Sequence, residues 1–369
     1  MRISRKVLFE LPPVGKNRRN SEGDFIRIPD GRIMFAYTRY YGDTWDDHEN
    51  STICAIYSDD GEHFDTENIH TLIRPEQFGG TNAMSVTLIP NGSGGISMYF
   101  IVKFDTKDIT KKPVRDEIYR VDSSDGYEFS GETVLCFPKR HEGYYCINNS
   151  RVEVLKNGRI IIPMSEHKML FDQNKGKYYF DEEGHARFVY SDDCGKTWNE
   201  DVQVLSMPDA PDKHGLQEPG MIELDDGRLY GYFRTGKDYQ YESFSSDNGN
   251  TWSEVRPSRF ESPLSPMEIS RNPYSGKYYA IWNPYKDEPD SVEHPRFQNT
   301  WGRTPLAIAE SEDGINYSDF VLVEEDLHRG YCYPAIYFLN EKEALMSYCS
   351  GGGDIVPLQR TTVSKITLE

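Results

Sequence analysis

The 369-residue chain lacks most of what a membrane or nucleic-acid-binding protein needs. No stretch approaches the ~20 consecutive apolar residues of a membrane-spanning helix. Residues 1–13 include basic side chains but no apolar run long enough for a secretion signal, so the expected location is cytoplasmic unless a leader was trimmed. Positive charge is scarce: 41 Lys and Arg face 60 Asp and Glu, for a net charge of −19. That balance argues against nucleic acid or an anionic membrane as a partner. None of the six cysteines forms a C-x-x-C pair and the histidines do not fall at zinc spacing, so free thiols are expected, with no metal and no cofactor. Helical periodicity, linkers and low-complexity tracts are also scarce. An anionic ligand would need a local basic pocket set against the global charge, which makes clustered arginines informative.

Aromatic residues are plentiful, with 25 Tyr and 18 Phe, as suits many short half-exposed strands. One short pattern recurs five times: a serine, a spacer, Asp, a Gly close behind, then an aromatic. Two copies are long, Ser191-Asp192-Asp193-Cys194-Gly195-Lys196-Thr197-Trp198 and Ser245-Ser246-Asp247-Asn248-Gly249-Asn250-Thr251-Trp252. Three lack the residue between Asp and Gly: Ser58/Asp60/Gly61/Phe64, Ser123/Asp125/Gly126/Phe129 and Ser311/Asp313/Gly314/Tyr317. Asp and Ser can bond nearby backbone N–H groups, Gly supplies a positive φ, and the aromatic can anchor the turn between strands. The ligand spacing does not match a calcium loop, so each box is a hairpin device. The serines are 65, 68, 54 and 66 residues apart, a spacing that points to a propeller.

A second repeat lies upstream of each box: a strand that starts small or polar, turns apolar and closes on a hairpin such as Asp30-Gly31, Asn157-Gly158 or Asp226-Gly227. Its copies cover residues 21–37, 82–102, 148–163, 218–234, 266–283 and 333–348. The sixth unit runs out of chain after Ser350, so the strand-like segments 6–11 and 361–368 are expected to complete it and remove open edges. The expected fold is all-β: one six-bladed β-propeller of four-stranded antiparallel blades over residues 1–369.

In a propeller the starts of the innermost strands converge at one rim although they are far apart in sequence. Those starts supply Arg18, Arg19 and Glu22; Asn82, Met84 and Ser85; Asn148, Asn149 and Arg151; Gln217 and Glu218; Ser265 and Glu268; and Tyr331 and Tyr333. Arg234 ends the hairpin that Glu218 opens, and Arg303 opens a strand in the fifth unit.

Repeated Asp-boxes on six blades resemble the sialidase superfamily across essentially the whole chain. Glu218-Pro219-Gly220-Met221-Ile222-Glu223-Leu224, then Asp226-Gly227-Arg228-Leu229 and Arg234, is similar to the family segment with the glutamate base and the second of three arginines. Gly302-Arg303-Thr304-Pro305-Leu306 resembles the segment with the third arginine, and Gly330-Tyr331-Cys332 the element with the nucleophilic tyrosine. The resemblance implies a retaining glycoside hydrolase that removes a terminal acidic sugar, with Tyr331 as nucleophile and Glu218 as its base. Asp47 is the implied acid, with Asp46 and Glu49 behind it. The first arginine is Arg19, at the strand's start; Arg27, in a literal Arg-Ile-Pro match, and Arg18 are the other candidates. Arg151, Glu22, Asn149 and Tyr333 are further expected contacts to the sugar, although Arg151 could instead pair with Glu166 or Asp181. The family's late bracing glutamate is missing from Met346-Ser347-Tyr348-Cys349, which leaves Glu22 and Glu268 as candidate braces. This departure leaves two rivals: an enzyme cleaving at a uronic-acid or deoxy-sugar linkage, and a non-catalytic carbohydrate binder.

The residue types suit the chemistry. Arginines bind a carboxylate bidentately and stay charged at any pH. A neutral Tyr avoids the repulsion that an Asp or Glu nucleophile would meet from the substrate's own carboxylate, and with a pKa near ~10 it needs a base.

Overall fold

The structure is a computed structural model that describes residues 1–104, 108, 110–137, 143–200, 202–208, 213–285 and 299–369. Six antiparallel sheets of four strands form a six-bladed β-propeller, with helix among the described residues confined to short turns such as Pro75–Phe78 and Pro357–Gln359. The innermost strands of blades one, two, four, five and six are Asn17–Arg27, Asn82–Pro90, Gln217–Glu223, Glu268–Arg271 and Cys332–Phe338. Blade three departs from the pattern. Its inner strand is broken into Gly143–Cys146 and Glu153–Val154, both paired with the long second strand Ile160–Asp172. Blade six joins Cys332–Phe338 and Glu343–Cys349 to Thr361–Leu368 from the C-terminal end and Ile3–Leu11 from the N-terminal end.

The five boxes act as turns that also space the blades. In each, the serine Oγ accepts the glycine N–H, at 2.8 Å for Gly61, 2.9 Å for Gly126, 2.8 Å for Gly195, 2.9 Å for Gly249 and 2.9 Å for Gly314. The long copies insert one further left-handed residue, Cys194 (φ 59°) or Asn248 (φ 59°), before the glycine. Trp198 and Trp252 each donate their indole N–H back to that glycine's carbonyl. A Cβ on Gly126 would lie 2.5 Å from Ile28 of blade one, and one on Gly314 would lie 2.6 Å from Leu224 of blade four. A side chain there would wedge neighbouring blades apart.

The box at Gly126 packs where the inner strand of blade one ends, beyond Arg27. The strand's start, with Arg19, is therefore at the opposite mouth of the channel. At that mouth the inner strands share a backbone feature. Glu22 (φ 55°), Ser85 (62°), Ser150 (58°), Glu218 (43°) and Tyr333 (52°) are all left-handed without being glycine. Four of them fall on register breaks: between Ser21 and Asp24, Met84 and Thr87, Gln217 and Gly220, and Cys332 and Ala335. A bulge re-aims one side chain, and a left-handed non-glycine residue costs ~1–3 kcal/mol and persists only where its surroundings enforce it. In four blades the bulge turns one polar side chain, Glu22, Ser85, Glu218 or Tyr333, into the channel.

Candidate active site

Glu218 is the hub of one half of the site. Its Oε1 accepts the Tyr333 hydroxyl at 2.6 Å, and its Oε2 lies 2.7 Å from Arg234 Nη1. Burial alone would raise the Glu218 carboxyl, but Arg234, the Tyr333 hydroxyl and Arg303 outweigh it and hold the pKa below its usual value. Glu218 is thus an ionised acceptor in contact with a phenol. Tyr333 itself is held above the usual tyrosine range by burial and by Glu218, while Arg234 and Arg303 pull the other way. Arg303 stacks near Tyr333, its guanidinium carbon 5.9 Å from the ring centre. It donates to Leu264 O at 3.3 Å and to Cys332 Sγ at 3.4 Å, and has no carboxylate partner among the described residues.

Arg19 is the hub of the other half, fully buried beneath the loop that carries Asp47. Its Nε donates to Ser21 Oγ at 2.7 Å, Nη2 to Glu22 Oε1 at 2.7 Å, and Nη1 to Asp47 Oδ1 and to Trp45 O. The guanidinium lies over the Tyr40 ring at 4.4 Å. Glu22 also receives Ser85 Oγ at 3.3 Å. Burial lifts its carboxyl to about 7 against the opposing pull of Arg19. Burial disfavours charge on Asp47, yet Arg19 and Lys103 win and hold it well below the carboxylate range.

Lys103 supports this loop from below. Its fully buried ammonium donates to Asp47 O at 3.0 Å and to Tyr144 Oη at 2.9 Å. Burial and this neighbouring cation push His48 down to about 4, so its ring is neutral at pH 7. Trp45 and Trp301, both more than a third exposed, face each other across the mouth with ring centres 5.8 Å apart.

Several sequence expectations need correction. Tyr331 is not the partner of Glu218. It is fully buried in the core of blades five and six, its hydroxyl donates to Asp326 O at 3.3 Å, and it packs edge-on against Tyr348. The bulge at Cys332 and Ala335 turns Tyr333, two residues later, into the channel instead. Arg27 is exposed at the opposite mouth, where it donates to Gly31 O and borders a cavity of about 300 Å³ with Asp24, Glu153 and Glu268. Arg18 is also exposed and bonds Gly42 O. Arg151 is buried among protein groups: Tyr232 Oη at 2.5 Å, Met267 O and Glu268 Oε2 at 3.1 Å. Glu268 therefore braces Arg151 rather than the cluster, and Glu166 pairs with Arg187. Asn149 ties blades together, donating to Gly23 O at 2.8 Å and to Tyr333 O at 3.4 Å. Arg19, Glu22, Asp47, Glu218, Arg234, Arg303 and Tyr333 do meet at one mouth.

Sequence reasoning missed Lys103 and the pairing of Tyr333 with Glu218, and both carried a signal. Arg234 faces Gln217, the first residue of its inner strand; Lys103 faces Asn82, the first residue of the inner strand two blades earlier. Tyr333-Pro334 repeats Glu218-Pro219 at the same point of the unit.

A closed ring of six blades, five of them carrying the Ser-Asp-Gly-aromatic box, with a carboxylate-tyrosine pair and arginines at one mouth, defines an Asp-box propeller. The BNR repeat-like domain model matches residues 81–343, and the chain belongs to that family. Solved structures with the same fold include a protein of unknown function from Dyadobacter fermentans, at a TM-score of 0.69 and 16% identity over 99% of both chains. The NanB sialidase from Streptococcus pneumoniae gives 0.69 and 13%, over 98% of this chain and 70% of that one. The Trypanosoma rangeli sialidase gives 0.68 and 14%, over 99% of this chain and 59% of its own. No curated protein matches the chain in sequence.

Proposed function

We propose that the protein is a retaining glycoside hydrolase that removes a terminal acidic sugar, sialic acid or a related keto-sugar acid. The observation that carries this reading is the 2.6 Å hydrogen bond from Tyr333 to an ionised Glu218, beside Arg234 and Arg303. A phenol paired with a carboxylate is an activated nucleophile that carries no charge of its own, as a substrate with a carboxylate on its anomeric carbon requires. Tyr333 Oη bonds to the anomeric carbon while its proton passes to Glu218. The glycosidic C–O bond breaks, and the leaving oxygen takes a proton from Asp47. Water then attacks the same carbon and gives a proton to Asp47, while the phenol oxygen leaves and recovers its proton from Glu218. Arg234, Arg303 and Arg19 receive the carboxylate. The substrate class is a carbohydrate; nucleic acid and membrane are not proposed as partners.

The test is hydrolysis of an aryl sialoside by the wild type and by Glu218→Gln. Wild-type turnover with a loss of ~10²–10⁴-fold in the variant is expected. No wild-type turnover on sialosides would remove sialic acid as the substrate. The bracing glutamate missing from Met346-Ser347-Tyr348-Cys349 favours an enzyme for a uronic-acid or deoxy-sugar linkage as the second reading. Aryl uronides in the same assay decide between the two.

A further inference from the structure

Arg19 has every guanidinium nitrogen engaged by the protein itself. Ser21 holds Nε, Glu22 holds Nη2, and Asp47 with Trp45 O holds Nη1. Two of these partners are carboxylates, and they differ in access. The Glu22 side chain is 4% exposed and the Asp47 side chain 48%. An anion entering from the mouth can reach Arg19 only where Asp47 sits. The Asp47 backbone is fixed, because its carbonyl accepts Lys103 Nζ at 3.0 Å and Asn82 Nδ2 at 3.3 Å. Only the side chain is free to yield.

Resting on the acidic-sugar reading above, we propose that Asp47 is an internal stand-in for the ligand's carboxylate, and that the arriving carboxylate evicts it from Arg19. The exchange replaces one carboxylate on the guanidinium by another and leaves Asp47 beside a like charge. Asp47 then loses the contact that keeps it ionised and takes up a proton. Arg19 and Glu22 from the inner strand, Tyr40 from the second strand, Asp46 and His48 from its own loop, and Lys103 and Tyr144 from blades two and three face it. Lys103 and the neutral His48 stay in place, and Lys103 tempers the rise without restoring the lost ion pair. The acid that protonates a leaving oxygen is therefore produced by the binding of a substrate with the right anion.

Proton-linked calorimetry of the full chain tests this. N-acetylneuraminic acid and, separately, glucuronic acid are titrated at pH 6 in buffers of different ionisation heat. Uptake approaching one proton per ligand is expected for the wild type. In Asp47→Asn the uptake should vanish and the affinity should rise by about tenfold, because a competitor for Arg19 is gone. Binding without proton uptake in the wild type overturns the proposal, and so does an Asp47→Asn variant that binds more weakly, since Asp47 would then be an ordinary contact. If only glucuronic acid binds, with the expected proton behaviour, the sialic-acid reading fails and the exchange at Arg19 stands. If neither binds, both fail.

Discussion

Replacing each of two tyrosines, two residues apart, by phenylalanine separates the proposed nucleophile from a core residue. In Tyr333→Phe the ring stays and one oxygen goes. Glu218 loses its 2.6 Å donor on Oε1 but keeps Arg234 on Oε2, so the buried carboxylate remains paired. The stability cost is that of one hydrogen bond to a charged group, about 1.5–3 kcal/mol. Turnover should fall on the order of 10³-fold or more, because the bond-forming atom is gone. In Tyr331→Phe the lost bond is a long one, 3.3 Å to Asp326 O, and that carbonyl still accepts Thr304 Oγ1 at 3.2 Å. The cost is about 0.5–1.5 kcal/mol, or no more than a few degrees in melting temperature, with activity within about threefold of wild type. The assay is single-turnover and steady-state cleavage of an aryl glycoside of the preferred acidic sugar, with thermal unfolding as the control for fold. An inactive Tyr331→Phe that melts normally, beside an active Tyr333→Phe, would refute the reasoning from the bulge.

Arg234→Ala and Arg303→Ala should weaken carboxylated ligands about 10–100-fold and neutral sugars little, because a charge-assisted hydrogen bond is worth about 1.5–3 kcal/mol; equal weakening in a binding titration would show that they do not read a carboxylate. Stability should decline as pH rises toward 8. Burial raises Asp24 and Glu268 to about 7 and Glu153 to about 8, so these carboxyls hold protons that the unfolded chain has released, and their contribution is complete below ~4 and lost through 7–8. Asp24→Asn should flatten that decline in denaturant melts; an unchanged slope would show that Asp24 does not titrate between the two states. Moderate salt should raise kcat/KM for an anionic substrate, because a field of −19 that repels it is screened beyond ~8 Å while contacts with buried arginines are screened much less. A steep fall with salt would mean that the basic mouth steers the encounter.

The ring was legible in the sequence because its determinants are local. Each box needs only its own Ser, Asp and Gly to close a turn, and its period counts the blades. The convergence of Arg19, Glu218, Arg234 and Arg303 followed from the same counting, since the start of an inner strand is a place in a repeat. What could not be read by simple counting is the direction of a side chain at a bulge. Ordinary alternation carries from one residue to the next, and one extra residue reverses it. The resemblance of Gly330-Tyr331-Cys332 therefore made Tyr331 the partner of Glu218, where the bulge puts Tyr333. Charge partners were harder still. Arg151 could be placed near the axis, but Glu268 and Tyr232 lie more than 80 residues downstream, and which arginine meets which acid depends on depth in the channel. Depth also separates the two roles of buried cations here. Arg151 has Glu268, Tyr232 and Met267 O around it and serves as a strut, whereas Arg303 has a carbonyl, a thiol and the Trp301 and Tyr333 rings around it but no carboxylate among the described residues. The proposed acidic-sugar activity is therefore compatible with a strongly acidic chain, because positive charge without a carboxylate partner is needed only where the bulges open the channel.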